Sequence, residues 1–281
     1  VNDAPQDIFD LPFGIEMDIA QSCNLHCRFC THYSNYGLKG LVSLRESAPW
    51  LAALKARVRP RHFQILGGEP TLNPELCDYI VLARELWPEV ELIVASNGLL
   101  LDRQPELWRT LADTGAKLAI SRHSQLDQAY LQRFEPALVA AREQAERHGV
   151  DMVVREGYYA FARNYLGEGP TMRPYAEGAP QQSWELCTSK FCTTLYKGRL
   201  WKCPPIAFLD LVTAKFGLQD VPEWQPYLAY QGLDVMASAA EYAAFLNANY
   251  APEHICGMCP TRWELHEHTD VLTAPRFPAA Q

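Results

Sequence analysis

The chain has 281 residues, 48% hydrophobic and 21% charged, with 25 basic against 33 acidic side chains and a net charge of −8. That composition excludes a disordered chain, and the acidic balance disfavours a broad nucleic-acid-binding face, so no nucleic-acid partner is expected. No apolar run reaches membrane-spanning length, since the best, 92–101, is broken by Ser96, Asn97 and Gly98. Val1–Pro5 lack the basic and apolar regions of a signal peptide. A soluble cytoplasmic protein, without membrane contact, is the expectation.

Elements follow in chain order. Ile15–Ala20 alternates like a strand and leads into a cysteine loop. Ser43 and Glu46 form a capping box for a helix reaching about Val58, with Trp50, Leu51 and Leu54 on its apolar face. His62–Leu66 is a strand ending in Gly67-Gly68-Glu69-Pro70, and Asn73 and Pro74 read as cap and first turn of a helix through about Trp87. Strands at Leu92–Ala95, Lys117–Ile120 and Met152–Arg155 alternate with helices at Pro105–Thr114 and Asp127–His148, the second closed by Gly149. Five alternations predict an α/β fold with a parallel sheet and right-handed crossovers. Glycines and prolines over 166–183 mark a linker or lid. An irregular, metal-organised module is expected over 184–270 and a loose tail over 271–281. Within the module, Thr193–Cys203 reads as a β-hairpin around Lys197-Gly198.

Nine cysteines in a chain of this size do not suggest a disulfide framework. They group as Cys23/Cys27/Cys30, Cys187/Cys203 and Cys256/Cys259, which reads as metal or iron–sulfur ligation. Cys23, Cys27 and Cys30 are spaced C-x3-C-x2-C directly after the first strand. Three thiolates on one short loop hold three corners of a [4Fe–4S] cube and leave the fourth iron open. The competing reading is a zinc loop completed by His26 or His32. Cys77, on the helix after Gly67–Pro70, reads as a small core residue.

With Phe29 before the last of these cysteines, Gly67–Pro70 after the second strand, Ser96-Asn97-Gly98 after the third and Ser121-Arg122 after the fourth, the chain resembles the radical S-adenosylmethionine (SAM) superfamily. All these signals sit at the C-terminal ends of consecutive strands, where barrel-like folds build their sites. The resemblance implies a partial (β/α)6 TIM-like barrel over 1–165. It also implies SAM on the open iron, contacts from Phe29, Gly67, Gly68, Glu69, Pro70, Ser96, Asn97, Ser121 and Arg122, and a 5′-deoxyadenosyl radical as the reactive species. A flavodoxin- or ferredoxin-type electron donor is the expected partner.

The stretch from Cys187 through Gly198 to Cys203 resembles the opening of SPASM and twitch domains, and the few later cysteines fit the shorter twitch form with one auxiliary [4Fe–4S] cluster on Cys187, Cys203, Cys256 and Cys259. Cys256 and Cys259 with His266 and His268 would instead make a zinc site, and a cysteine/histidine zinc-binding protein is the non-enzyme alternative. Four cysteine ligands leave no open iron, so electron transfer is the implied task and a two-electron oxidation the implied reaction. In size and layout the chain resembles 2-deoxy-scyllo-inosamine dehydrogenase-type enzymes. Cys192 is a replacement ligand, a buried residue or a hydrogen-atom donor, and the last would make the enzyme a redox-neutral epimerase. Arg155 is expected to bind a substrate hydroxyl or anionic group, and Glu156 or His123 to take a proton. A small polar substrate (sugar, cyclitol or nucleotide sugar) is favoured over a peptide, and a monomer is expected.

Overall fold

Ile15 and Met17 are almost fully buried while Glu16, between them, is not. This alternation defines the first strand of a parallel sheet whose one face packs on helices and whose other face bears polar groups. The computed structural model describes residues 8–277, so the reading of Val1–Pro5 and the last four tail positions lie outside the described residues. Strands β1 (Phe9–Leu11), β2 (Ile15–Asp18), β3 (Val58–Pro60), β4 (His62–Leu66), β5 (Glu91–Ser96), β6 (Lys117–Ser121) and β7 (Met152–Arg155) alternate with helices α1 (Leu44–Lys55), α2 (Leu76–Leu86), α3 (Leu107–Thr114) and α4 (Gln128–His148). Next come β8 (Ala160–Ala162), α5 (Pro180–Leu186), the hairpin β9 (Thr193–Tyr196) and β10 (Arg199–Trp201), α6 (Pro204–Ala207), α7 (Leu209–Phe216), α8 (Gln225–Leu228), β11 (Leu233–Asp234), α9 (Ala239–Asn249) and β12 (Leu265–Glu267).

The main sheet runs β11-β10-β9-β2-β4-β5-β6-β7, with β2, β4, β5, β6 and β7 parallel, the parallel α/β sheet expected from the alternation and the partial barrel implied by the resemblance. Its sixth parallel strand comes from beyond the linker: β9 pairs with β2, Glu16 opposite Thr194. The sheet therefore continues from the barrel into the C-terminal region. The short β1 and β3 pair apart from it, as do β8 and β12.

Local signals explain several helix ends. Ser43 accepts the Glu46 amide at 3.2 Å, Asp127 accepts that of Tyr130 at 3.0 Å, and Gly149 closes α4 in the left-handed region at φ 68°. Asn73 does two jobs at the start of α2: its Oδ1 accepts the Glu75 amide at 2.9 Å in the turn that leads into the helix at Leu76, and its Nδ2 donates to the carbonyls of Ile19 and Val42, both at 2.8 Å.

One apolar core lies between sheet and helices, and a second, aromatic core gathers Phe29, Tyr33, Tyr36, Tyr165, Phe208 and Trp224 beneath the C-terminal region. The tail expected to be loose from 271 is anchored at its start. Val271 is fully buried, accepts the His26 amide at 2.7 Å and donates its own to Asp127 at 2.9 Å. Among the described residues no helix is long and apolar enough to cross a membrane.

Candidate active site

The loop after β2 brings Cys23, Cys27 and Cys30, all free thiols, to the wall of one cavity of about 510 Å³ at the C-terminal ends of the parallel strands. Burial pushes all three thiols up, and each of Cys23 and Cys27 is pushed further by its neighbours in the loop. Such thiols stay protonated until a cationic group binds and displaces the protons. Of the histidines of this loop, His26 is turned to the Asn35 carbonyl, 3.1 Å from its Nδ1, while His32 lines the cavity and faces Asp18 at 3.5 Å.

Gly67 and Gly68 line the same cavity, and what they approach is the cysteine loop's own backbone. A Cβ on Gly67 would meet the Ala20 carbonyl at 2.3 Å, and one on Gly68 that of Ser22 at 2.4 Å. The Gly68 and Glu69 amides donate to those two carbonyls at 2.6 and 2.9 Å. Glu69 itself is fully buried and accepts four hydrogen bonds, from the Thr71 amide and hydroxyl, the Ser96 hydroxyl and the Asn97 amide, at 2.7–3.1 Å. It ties the turn after β4 to the turn after β5, and neither it nor the buried Pro70 lines the cavity. Ser96, Asn97 and Ser121 do line it, Asn97 donating to Asn24 at 2.7 Å.

The cavity carries a row of polar side chains from β7, β4 and β2, Arg155 reaching across from the far edge of the sheet. Arg155 donates to Gln64 at 2.8 Å, and Gln64 donates to Glu16 at 3.3 Å. The Cys192 thiol, just before β9, lies against the Glu16 carboxyl and completes the row. Enclosure pushes Glu16 up, against the pull of the Cys192 hydrogen bond and the Arg155 charge. Burial and the Glu16 charge push Cys192 well up. Sequence reasoning missed Glu16. Its signal was two carboxylates at alternate positions, Glu16 and Asp18, in an otherwise apolar strand.

Three expectations are corrected. Glu156 is exposed and ion-paired to Arg122 at 2.8 Å, away from the cavity. Arg122 points back onto α4, where it pairs with Glu135 and stacks over Phe134, so it makes no wall of the site. The Phe29 side chain is buried in the aromatic core against Tyr165 and His266, which leaves only its backbone near the cavity side of the loop. His123 does line the cavity, but burial pushes its imidazole down to about 3, making it a neutral ring rather than a base for neutral pH.

The second cysteine set also converges. Burial pushes Cys259 up, and Cys187, Cys203 and Cys256 all push it further. Cys203 in turn feels Cys187 and Cys256. Among the described residues no three His, Cys, Asp or Glu side chains stand closely enough together to hold a metal ion, so of the metal groups only a polynuclear cluster, whose thiolates lie further apart, suits these four. His268 is not one of this group: its two ring nitrogens face the carbonyls of His123 and Arg28. His266 packs edge-on to Phe29, which separates the zinc set expected from spacing. Cys77 is half-buried against the main core, as expected of a structural residue.

Residues 17–136 match a family model described as the radical SAM superfamily. Among curated proteins, the GTP 3′,8-cyclase of Cronobacter sakazakii (strain ATCC BAA-894) is 28% identical over 112 residues, 38% of this chain and 34% of that protein. The match thus spans about a third of the curated relative's length. Among solved structures, BtrN in complex with AdoMet and 2-DOIA superposes with a TM-score of 0.48 at 15% identity, covering 96% of this chain and 98% of that one. Native anSMEcpe with bound AdoMet gives 0.39 at 19% identity over 51% of this chain and 43% of that one. SuiB of Streptococcus suis bound to S-adenosylmethionine gives 0.37 at 14%, over 89% and 78%.

Proposed function

We propose, from the premise that residues 17–136 are a radical SAM core, that this chain oxidises a secondary alcohol of a small polar substrate such as a sugar, cyclitol or nucleotide sugar. The observation that carries this reading is the single cavity shared by the three cysteines of the loop and the Glu16–Gln64–Arg155 row. Cys23, Cys27 and Cys30 would hold a [4Fe–4S] cluster, with SAM seated beside Gly67, Gly68, Ser96, Asn97 and Ser121. Bound there, the pair supplies a 5′-deoxyadenosyl radical that takes a hydrogen atom from a substrate carbon. Arg155 and Gln64 would orient the hydroxyl, and Glu16, a carboxylate made more basic by enclosure, would accept its proton. Cys187, Cys203, Cys256 and Cys259 would hold a twitch-type auxiliary cluster able to take the remaining electron, with a flavodoxin- or ferredoxin-type protein as reductant.

The placement of Cys192 favours a second reading. Its thiol faces the cavity beside Glu16 rather than pointing only into the second cysteine group. A thiol there could return a hydrogen atom to the substrate radical, giving an epimer and no net oxidation. Iron and sulfide per chain after anaerobic reconstitution test the reading first. About eight irons, falling to about four in the Cys23/Cys27/Cys30→Ala variant, are expected for two [4Fe–4S] clusters. About four falling to none would remove the electron acceptor and leave the redox-neutral reaction.

A further inference from the structure

Tyr33 joins the two cysteine groups physically. Three residues past Cys30, its amide donates to the Cys30 carbonyl at 3.0 Å. Its ring is completely buried, and its hydroxyl donates at 3.3 Å to the carbonyl of Pro205, two residues past Cys203. The aromatic core around the ring also packs against Cys203 and Cys259. The backbone at Tyr33 is left-handed, φ 55°, a conformation a bulky side chain adopts only when its surroundings impose it. This left-handed turn seats the ring in the core that also packs against Cys203 and Cys259.

Nothing in hydrogen abstraction needs such a bridge, but electron tunnelling does, because it decays steeply across packing gaps and less steeply through a filled, hydrogen-bonded path. We propose that Tyr33 is the conduit through which the two cluster sites exchange an electron. One electron leaves the reduced auxiliary site and one arrives at the oxidised SAM-binding site. No proton moves, and Tyr33 itself is neither oxidised nor reduced. This rests on the two-cluster reading above.

The test needs no substrate. Reconstituted wild type, Tyr33→Phe and Tyr33→Leu enzymes are reduced with titanium(III) citrate, freed of reductant and mixed anaerobically with SAM alone. Electron paramagnetic resonance then follows the auxiliary signal while 5′-deoxyadenosine is counted. Each SAM cleaved consumes one electron, so wild type should form about two 5′-deoxyadenosine per chain and lose the auxiliary signal, and Tyr33→Phe, which keeps the packed ring but not the bond to Pro205, should reach the same count more slowly. Tyr33→Leu should form about one, its auxiliary signal decaying at least tenfold more slowly. A wild type that stops at one with the signal intact, or a Tyr33→Leu enzyme that discharges at the wild-type rate, would overturn the proposal. If Tyr33→Leu does not load both clusters, Tyr33→Met replaces it with a non-aromatic side chain of closer volume. Four irons and one signal in the wild type would instead sink the two-cluster reading, and the proposal with it.

Discussion

His268 reaches the cysteine loop from the far end of the chain: its Nε2 lies 3.1 Å from the carbonyl oxygen of Arg28, inside the C-x3-C-x2-C segment, while Nδ1 lies 2.8 Å from that of His123. A neutral imidazole donates from one nitrogen at a time, and burial, which pushes this histidine down, favours the neutral form. The adjoining main chain is fastened too, the His268 amide donating to Tyr159 at 2.8 Å and its carbonyl accepting from Ser124 at 2.5 Å. His268→Ala removes that donor and leaves the one carbonyl it serves, of Arg28 or of His123, without a partner. The apoprotein should lose about 1–3 kcal/mol in urea unfolding, and the reconstituted enzyme should release iron faster to a chelator. An unchanged unfolding midpoint would mean that the strap does not hold the loop.

Glu69 presents a comparable case inside the barrel. With four donors converging on one carboxylate, Glu69→Ala strands the Thr71, Ser96 and Asn97 groups in a fully buried place. A loss of at least about 2 kcal/mol is expected, with Glu69→Gln recovering part of it because the amide oxygen still accepts. If the alanine variant unfolds at the wild-type urea concentration, Glu69 is a ligand contact and not the tie between the turns.

Periodicity exposed the strand–helix alternation because Ile15, Met17, Phe63 and Ile65 are buried at strand spacing and Leu51 and Leu54 at helix spacing. The cysteine loop was equally legible, since its chemistry is local in sequence. Contacts between distant segments were not. Nothing near Thr193 announces that it will pair beside Ile15, nor does the region around Val271 signal the His26 amide it accepts. Glu156 and Arg122 were misplaced for a related reason: both follow strand ends, but their mutual ion pair turns them away from the cavity.

The neutral His123 gives a pH prediction. Its folded-state pKa, about 3, lies below the unfolded value near 6.5. As pH falls from about 6.5 toward 3, the unfolded chain binds a proton that the folded chain refuses, so stability declines. The slope from this group is about 1.4 kcal/mol per pH unit. His123→Gln should remove that share of the decline in apoprotein urea unfolding between pH 6 and 4. Equal slopes in the two proteins would place the imidazole in water.

Cys192 and Glu16 can be tested as a pair without a substrate. If Cys192 belongs to the cavity and not to the second cluster, Cys192→Ala should retain about eight irons per chain while Cys187→Ala falls to about four. Burial, then the Glu16 carboxylate, holds the thiol well above its ordinary range. Glu16→Gln removes the charge and leaves the burial, so the fraction of thiolate should rise while the cavity keeps its shape. Alkylation of Cys192 by iodoacetamide in the apoprotein at pH 8, followed by peptide mass, should therefore speed up several-fold in Glu16→Gln, because the thiolate is the nucleophile. An unchanged labelling rate would mean that the Glu16 charge does not reach the Cys192 thiol.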